Sequence, residues 1–318
     1  MPKLIYLDEN SDYLPALKEK LPGWEIIYGA PADDKAIKHL ADAEVYYGWW
    51  DSRIGDMLDT AQNLKWIQVI SAGVDNIPLE ALRDKGVLLT SANGVHANNI
   101  SETIFGMMLG FARNLFNLHR DQTRKAWRDD RSVMKEIHGK AIGIIGAGAI
   151  GCEVARLAKA FEMRTIGMRR SGGGAPHVDE MLDGAGLHKL LSESDYIVNI
   201  LPLTPETEGM IGKPEFAAMK PTAYYFTAGR GKTTDQDALI EALRQGKLAG
   251  AGLDVTDPEP LPKDSPLWEM ENVFIGGHTS GGTDRYQERA MEIFMRNLDD
   301  YLTEKIPGCN LVDYKKQY

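Results

Sequence analysis

The stretch from Lys140 to Ser171 decides the fold of this chain and reads KAIGIIGAGAIGCEVARLAKAFEMRTIGMRRS. A short apolar run, Ala141 to Ile145, leads into a turn with three glycines, and an amphipathic helical pattern then extends to about Phe161. A second apolar run follows, from Thr165 to Met168. A strand, a tight glycine turn, a helix and a second strand form the unit that binds the phosphates of a dinucleotide.

Each of the three glycines in this turn has a separate task. Gly146 permits the tight turn, Gly148 lets the backbone approach a pyrophosphate, and Gly151 lets the helix pack closely on its strand. The start of the helix presents N–H groups and the positive end of its dipole to the phosphates. Glycine-rich turns are common by themselves, but here both strands and the helix fall where the motif requires them. We therefore predict a dinucleotide site.

The end of the second strand selects the dinucleotide. A site for NAD places Asp or Glu there to bond the ribose hydroxyls, whereas this chain has Arg169, Arg170 and Ser171. Two guanidinium groups can pair with a 2′-phosphate through forked hydrogen bonds. A solvated basic turn is the plainer interpretation of the same residues. We predict that NADP(H) is preferred and that NAD(H) can also be used.

The bulk composition is that of a globular protein with two domains. The chain has 318 residues, of which 43% are hydrophobic and 26% charged, and its formal net charge is −10. This length exceeds a single typical core. The acidic balance disfavours general binding to nucleic acid or to anionic membranes. The two cysteines, Cys152 and Cys309, form no CxxC motif, which fits a reducing cytoplasm.

Short apolar runs alternate with helical patterns on both sides of the glycine turn. This alternation indicates parallel sheets with both faces covered by helices. Before the turn, strands are predicted at 3–7, 24–28, 45–47, 66–70 and 87–90, with helices near 13–20, 34–41, 53–60 and 78–84. After the turn and its second strand, further strands are predicted near 196–200, 223–227, 249–254 and 273–276.

Two long helical patterns flank the central part of the chain. One extends from Ser101 to Leu118, with Ser101 as its N-cap, and the other extends from Thr283 to Tyr301. We predict an α/β chain of two doubly wound parallel-sheet domains. Residues 1–98 and 285–318 form a flavodoxin-like domain, and residues 99–284 form an inserted Rossmann domain. We expect the active site in the cleft between the two, where ligands commonly bind.

Three polar side chains follow predicted strands of the central domain: Arg230, Glu259 and His278. Because the carboxyl ends of parallel strands face the ligand crevice in such sheets, these side chains should meet. A protonated His can give a proton to a ketone oxygen, and a carboxylate beside it favours the charged ring. An Arg can hold a substrate carboxylate. The set suits hydride transfer to a 2-oxo acid.

Each of these residues also has a plainer interpretation when taken alone. Arg230 could be a surface turn residue, Glu259 a solvated loop charge and His278 a structural histidine. The other six histidines show no ligand spacing such as HExxH, so we predict no metal site.

The motifs together resemble those of the D-isomer-specific 2-hydroxyacid dehydrogenases, and the resemblance covers essentially the whole chain. The matching stretches are SAGVDNIP (71–78), IGIIGAGAIG (142–151), LPLTPETEGMIG (201–212), FTAGRGKTTDQDAL (226–239), GAGLDVTDPEPLPKDSPLW (250–268) and GGHTSGG (276–282). They follow the order and spacing of that family. One departure is Arg169, where many members carry Asp. We predict a member of the glyoxylate/hydroxypyruvate reductase type that prefers NADP(H) because of this departure.

The resemblance also implies roles for individual residues. It implies that Arg230 binds the substrate, Glu259 is the acidic partner and His278 donates the proton. Backbone N–H groups of Gly73 and Val74 would bind the substrate carboxylate. The implied cofactor-binding residues are Gly146, Gly148, Ala149, Ile150, Gly151, Arg169, Arg170, Ser171, Leu201, Pro202, Ala228, Gly229 and Asp254, the last near the nicotinamide carboxamide. Family members are typically homodimers built on the nucleotide domain, and we expect the same here.

The sequence says little about which 2-oxo acid is the substrate. The segment Tyr47-Gly48-Trp49-Trp50-Asp51 follows a predicted strand where the family's substrate domain lines the pocket, and Trp50 is the candidate for substrate contact. Phosphoglycerate-type members carry basic residues there, so the two Trp side chains favour a smaller or more apolar acid. Alternatively, one or both indoles pack the domain. We expect glyoxylate or hydroxypyruvate before a branched or aromatic 2-oxo acid.

Two other functions use the same architecture. Formate dehydrogenases need Gln in place of the acidic partner, and Glu259 argues against that function. A redox-sensing protein could use the fold to bind NAD(P)H without turnover, but it would not need Arg230, Glu259 and His278 together. We therefore expect an enzyme that reduces a 2-oxo acid to a D-2-hydroxy acid.

Overall fold

The computed structural model describes residues 1–74, 76–170 and 172–315. By their internal contacts, the residues divide into two compact units, Met1–Val95 with Asp284–Tyr318, and His96–Thr283. The domain boundaries predicted from sequence differ from these by three residues at the first boundary (98 against 95) and by one at the second (284 against 283).

Strands and helices alternate through both units. The strands are β1 (Lys3–Leu7), β2 (Glu25–Gly29), β3 (Val45–Gly48), β4 (Trp66–Val69), β5 (Leu88–Thr90), β6 (Ala141–Ile145), β7 (Arg164–Met168), β8 (Glu180–Leu182), β9 (Tyr196–Asn199), β10 (Tyr224–Thr227), β11 (Gly250–Leu253) and β12 (Val273–Ile275). The helices are α1 (Leu14–Lys20), α2 (Asp34–Ile37), α3 (Ser52–Met57), α4 (Leu79–Lys85), α5 (Ala97–Ala112), α6 (Leu115–Thr123), α7 (Ala149–Ala160), α8 (Leu187–Glu193), α9 (Lys213–Ala218), α10 (Gln236–Arg244) and α11 (Tyr286–Glu304).

The first unit contains a five-stranded parallel sheet in the order β2-β1-β3-β4-β5. This is the strand order of flavodoxin-like folds. Successive side chains point to opposite faces of a strand, and both faces are buried here. Leu4 and Tyr6 share one core with Phe294 of α11, while Ile5 and Leu7 belong to the core on the other face.

The second unit contains a seven-stranded parallel sheet in the order β12-β11-β10-β9-β6-β7-β8. The order reverses between β6 and β9, and ligands bind beside the carboxyl ends of the strands at such a point. All five residues of β6 are buried, because helices cover both faces of the sheet. Ile142 and Ile144 pack in a core with α5 and α7, and Ile145 packs in the opposite core. The predicted α/β fold with two doubly wound parallel sheets is confirmed.

The single helix predicted from Ser101 to Leu118 is wrong in two respects. Helix α5 begins at Ala97, so Ser101 is a buried residue inside the helix, and its hydroxyl donates to the Asn98 carbonyl (2.7 Å). The helix also stops before Asn114, which has a positive φ of 55°, a conformation that Asn tolerates better than most residues. Apolar side chains continue across this break into α6, so the pattern alone did not reveal it.

Two smaller differences concern element ends and a short strand. Strand β8 has three residues at the edge of the sheet and carries too short a pattern to be recognised in sequence. Helix α11 begins three residues after the predicted Thr283 and ends at Glu304.

None of the helices in the described part of the chain combines the length and apolar character needed to cross a membrane.

Candidate active site

The glycine turn after β6 is shaped by close backbone contacts. Gly146 has a φ of +101°, and a Cβ there would lie 2.8 Å from the carbonyl oxygen of Ile200. A Cβ at Gly151 would lie 2.6 Å from the Gly146 carbonyl oxygen and 3.1 Å from Ile144 Cγ2. Gly148, in contrast, is exposed and has no atom within 4 Å of its ideal Cβ position. Two glycines are therefore required for packing, and the middle one leaves space for a ligand.

The first turn of α7 faces this open space with main-chain groups. Gly148 is the N-cap, so no side chain caps the helix, and Ala149 and Ile150 are the first two helical residues. N–H groups in the first turn of a helix have no partner within the helix. Together with the helix dipole they form a site for phosphate oxygens. The residues present therefore fit the pyrophosphate of a dinucleotide.

The carboxyl end of β7 carries the two arginines predicted to select the cofactor. Arg169 is half-buried and donates from Nε to the Gly172 carbonyl (2.6 Å) and from Nη2 to the Gly174 carbonyl (2.8 Å). Arg170 is exposed. The pKa of Glu206 is lowered, mainly by a hydrogen bond from the Thr204 side chain and to a smaller extent by the charge of Arg170. Ser171, also a predicted cofactor residue, lies outside the described residues.

The turns after β9 and β10 lie against each other beside the glycine turn. A Cβ at Gly229 would lie 2.4 Å from the Leu201 carbonyl oxygen. The Ala228 amide donates to the Asn199 carbonyl (3.2 Å), and the Leu201 amide donates to Asn199 Oδ1 (3.1 Å). Leu201 and Ala228 are nearly buried, whereas Pro202 is exposed. The structure thus brings these predicted cofactor-lining residues to the same edge of the sheet as Gly146.

His278 and Glu259 form a direct pair in the second unit. His278 Nδ1 lies 2.7 Å from Glu259 Oε2, and the other carboxylate oxygen accepts from the Thr256 amide (3.0 Å). The side chains are 51% and 36% exposed, so solvent and small molecules reach both. Burial alone would raise the pKa of Glu259, but the bonds from His278 and Thr256 and the charge of Arg230 lower it below its ordinary value.

Asp254 holds the loop that carries His278. Its carbonyl accepts from the His278 amide (2.6 Å), and Oδ1 accepts from the amides of Thr279 (3.0 Å) and Ser280 (3.1 Å). Oδ2 accepts from the Ser280 hydroxyl. Asp254 is 2% exposed, and His278 adopts a positive φ of 57°. A role of Asp254 near the nicotinamide carboxamide stays a prediction.

Arg230 lies in the turn after β10, close to the same pair. The side chain is exposed, and Nη1 donates to the Gly229 carbonyl (3.1 Å). The next residue, Gly231, packs so tightly that a Cβ would lie 1.9 Å from the Thr256 carbonyl oxygen. This contact places the Arg230 turn beside the segment that leads to Glu259. The structure therefore brings Arg230, Glu259 and His278 together, as the strand order predicted.

The predicted substrate residues of the first unit follow β3 and β4. Gly73 is exposed, and its carbonyl accepts from the Ser71 hydroxyl (2.9 Å), while Val74 is 5% exposed and belongs to a core of that unit. Trp50 is half-buried and packs against the same core. Trp49 is 44% exposed and stacks on Tyr286, with ring centroids 5.9 Å apart. Substrate contacts by Gly73, Val74 and Trp50 stay predictions.

Asn199 is a residue that the sequence reasoning missed. It is fully buried at the end of β9, and it contacts three separate segments of the site. The sequence offered one signal, an amide side chain that ends an otherwise apolar strand. Such a polar group needs hydrogen-bond partners when it is buried.

As for metals, no cluster of three or more His, Cys, Asp or Glu side chains that could hold an ion occurs in the described ranges.

This chain is similar in sequence and in structure to proteins of one family. Residues 105–280 match the family model described as D-isomer specific 2-hydroxyacid dehydrogenase, NAD binding domain. The glyoxylate reductase of Korarchaeum cryptofilum is 33% identical over 291 residues, which cover 89% of this chain and 86% of that protein. The chain belongs to the D-isomer specific 2-hydroxyacid dehydrogenase family. It is therefore an oxidoreductase that uses a nicotinamide dinucleotide.

Two solved structures show the same similarity across both units. A D-isomer specific 2-hydroxyacid dehydrogenase family protein from Aeromonas salmonicida has a TM-score of 0.80 and 32% identity, and the match covers 98% of this chain and 99% of that one. The NADPH-dependent glyoxylate/hydroxypyruvate reductase of Sinorhizobium meliloti, solved with NADP and sulfate, has a TM-score of 0.77 and 28% identity, covering 100% and 99%.

Proposed function

We propose that this protein reduces a small 2-oxo acid to a D-2-hydroxy acid and prefers NADPH as the reductant. The observation that carries the proposal is the pairing of His278 Nδ1 with Glu259 Oε2 at 2.7 Å, beside the Arg230 turn. The pair engages Nδ1 and holds the ring in one orientation, so Nε2 is the nitrogen that gives the proton. Membership of the family, with glyoxylate reductases among the relatives, supports the same reaction.

The three side chains divide the reduction between them. When bound, the nicotinamide supplies the hydride that adds to C2 of the 2-oxo acid. The C2 carbonyl oxygen takes a proton from Nε2 of protonated His278, so that the hydride on C2 and the proton on oxygen together turn the carbonyl into the alcohol of a 2-hydroxy acid. Arg230 holds the substrate carboxylate with its guanidinium fork. We propose that the backbone N–H groups of Gly73 and Val74 assist at the same carboxylate.

The preference for NADP(H) rests on the arginines after β7. A guanidinium has five N–H donors, and two of those on Arg169 already hold the carbonyls of Gly172 and Gly174. Arg169 therefore shapes the loop while still presenting charge, and exposed Arg170 offers a second fork to a 2′-phosphate. The S. meliloti relative was solved with NADP, which supports this choice. Use of NAD(H) at lower efficiency is compatible with the same site.

We propose glyoxylate or hydroxypyruvate as the substrate, with a branched or aromatic 2-oxo acid as the alternative. The names of the K. cryptofilum and S. meliloti relatives support the first choice. The predicted contact residue Trp50 and its neighbour Trp49 support a small or apolar substrate side chain, since neither brings a charge for a phosphate. We also propose a cytoplasmic homodimer, because the family resemblance implies a dimer and both cysteines are free.

The test is a set of 2-oxo acids assayed with NADPH and with NADH by the loss of reduced-nicotinamide absorbance. Glyoxylate, hydroxypyruvate, pyruvate, 2-oxoisocaproate and phenylpyruvate sample increasing side-chain size. We expect the highest kcat/KM for glyoxylate or hydroxypyruvate with NADPH. Equal kcat/KM values for NADH would contradict the cofactor proposal, and a clear excess for phenylpyruvate would reverse the substrate order. NADPH binding without turnover of any acid would favour a sensor.

A further inference from the structure

We propose that Asn199 and Thr233 are positioning residues that hold Arg230 in place through a buried chain of hydrogen bonds. The inference rests on the proposed function, because it assumes that Arg230 binds the substrate carboxylate. Neither residue was a candidate from the sequence. Both lie beneath the turn after β10, within the second unit, and the solvent reaches neither side chain.

The chain of bonds leads directly to the main chain of Arg230. Asn199 Nδ2 donates to Thr233 Oγ1 (3.0 Å). Thr233 Oγ1 then donates to the Arg230 carbonyl (2.7 Å), which also accepts from the Thr233 amide (3.1 Å). The hydroxyl therefore acts as donor and acceptor at once, and it ties the start of the Arg230 turn to the end of β9.

The side-chain amide of Asn199 also fixes the neighbouring turn on the cofactor side. Asn199 Oδ1 accepts from the Leu201 amide (3.1 Å), and Nδ2 donates a second time, to the Tyr225 hydroxyl (2.8 Å). That hydroxyl bonds in turn to Thr234 Oγ1 (2.6 Å). Every side-chain polar atom of Asn199 is used. A fully satisfied buried network specifies one geometry more strictly than an apolar core of the same volume.

The opposite side of the Arg230 turn is closed by backbone. A Cβ at Gly231 would lie 1.9 Å from the Thr256 carbonyl oxygen, so the turn cannot move further in that direction. Beyond Thr233 the chain is fixed by the Ile211 amide, which donates to the Thr233 carbonyl (3.1 Å). The Thr233 hydroxyl is thus a side-chain contact that fixes the main-chain position of Arg230. Bidentate recognition of a carboxylate depends on such placement, because the guanidinium fork is planar and rigid.

The test compares Thr233→Val with Thr233→Ser. Val keeps the shape and loses the hydroxyl, whereas Ser keeps the hydroxyl. We expect Val to raise the KM for the 2-oxo acid by about tenfold with a smaller change in kcat, since carboxylate binding is shared by ground and transition states. Ser should restore the KM to within about twofold of the wild-type value. The Kd of NADPH and the pH profile of kcat should stay unchanged, because the network holds no ionisable group near neutral pH.

A matched control is Thr165→Val on β7. Thr165 is fully buried, and its hydroxyl donates to the His177 carbonyl (2.8 Å) and accepts from the Asp179 amide (2.9 Å), so the substitution removes a hydroxyl that is both donor and acceptor, away from Arg230. We expect it to lower the melting temperature without changing the KM. Should Thr233→Val not fold, Thr233→Ala and Thr233→Ser still differ by one oxygen and carry the same comparison.

The outcomes separate this proposal from the proposed function. An unchanged KM in Thr233→Val, an equal rise in Thr233→Ser, a similar rise in Thr165→Val, or a parallel loss of NADPH affinity would overturn the positioning role. If the wild-type enzyme turns over no 2-oxo acid, the proposed function fails, and the Kd of oxamate measured by calorimetry in the presence of NADP replaces the KM. Failure of the wild-type enzyme to bind oxamate would overturn both proposals.

Discussion

Two carboxylates follow strands of the two parallel sheets, and their surroundings give them opposite properties. Asp8 directly follows β1 in the first unit and is fully buried, and this burial raises its pKa despite a bond from the Asn10 amide. Glu259 lies in the loop after β11 in the second unit. Burial would raise its pKa too, but the bonds from His278 and Thr256 and the charge of Arg230 outweigh it. The surroundings of Asp8 therefore disfavour the ionised carboxylate, and those of Glu259 favour it.

The residues around each carboxylate show the same contrast. Near Asp8, Tyr6 and Tyr47 pack with ring centroids 5.3 Å apart. The end of the second sheet instead has glycine turns, exposed arginines and the half-exposed His278. Doubly wound folds do not by themselves determine function. Two parallel sheets of the same doubly wound class therefore end differently, one in a buried carboxyl group among packed rings and the other in an exposed His–carboxylate pair.

The largest expected effect tests His278, which pairs with Glu259 at the end of the second sheet. In His278→Gln the side chain can still bond Glu259, but it cannot give up a proton. We expect kcat to fall by about 10² to 10⁴-fold, the usual contribution of general acid catalysis, with the Kd of NADPH nearly unchanged. Steady-state kinetics and fluorescence titration measure the two quantities. A parallel collapse of NADPH affinity would show that His278 has a different role.

The next effect concerns the tight turn beside Glu259. In Gly231→Ala the new Cβ would meet the Thr256 carbonyl oxygen at 1.9 Å, so the Arg230 turn must shift. We expect kcat/KM to fall by about a hundredfold, as for other small misplacements of binding groups. The control is Gly106→Ala on α5, where nothing lies within 4 Å; it should stabilise the protein by about 1 kcal/mol. Wild-type kcat/KM in Gly231→Ala would contradict this account of the turn.

An intermediate effect is expected at the arginines after β7. Removing Arg170 as Arg170→Ala should lower the ratio of kcat/KM values for NADPH over NADH by about tenfold, because one charge-assisted contact to the 2′-phosphate is lost. Arg169→Ala should lower the ratio as well and also lower the melting temperature, since its bonds to Gly172 and Gly174 are lost. An unchanged ratio in both variants would mean that the pair is a solvated basic turn.

A smaller effect tests the buried carboxyl group of Asp8 at the end of the first sheet. Asp8 Oδ2 and the Tyr47 hydroxyl complete no hydrogen bond to described residues, although Tyr47 is close enough to lower the pKa of Asp8. Asp8→Asn removes the ionised form, and we expect a gain of about 1 kcal/mol at neutral pH. A raised folded-state pKa means that the carboxyl favours the folded state at low pH and loses this as pH rises through that pKa. The gain should therefore disappear in acid, which denaturant unfolding at several pH values measures.

The smallest effect is the opposite pH dependence of Glu259. Its lowered pKa stabilises the folded state above the pKa of the unfolded chain, and the contribution is lost as pH falls through the folded-state value. Glu259→Gln should therefore destabilise the protein near neutral pH and make no difference in strong acid. We expect less than about 1 kcal/mol, because solvent screens this pair. A stabilising effect at neutral pH would break the contrast with Asp8.

The sequence was sufficient where a feature depends on neighbouring residues. The strands on both sides of the glycine turn, the turn itself and α7 follow from local apolar periods and from glycines at fixed spacing. Local patterns failed where a backbone choice is decided by packing. Asn114 ends α5 with a positive φ inside a continuous apolar pattern, and β8 gains its strand geometry from pairing with β7.

By itself, the sequence determined the α/β class, the position of the nucleotide turn and the three polar residues that the strand order would bring to one place. Only the tertiary structure decided that His278 Nδ1 pairs with Glu259, that Asp254 holds the His278 loop, and that Asn199 reaches Thr233. The physical reason is separation along the chain. A glycine spacing reports the geometry of adjacent residues, whereas a hydrogen bond between distant residues exists only after the sheet has set their strands side by side.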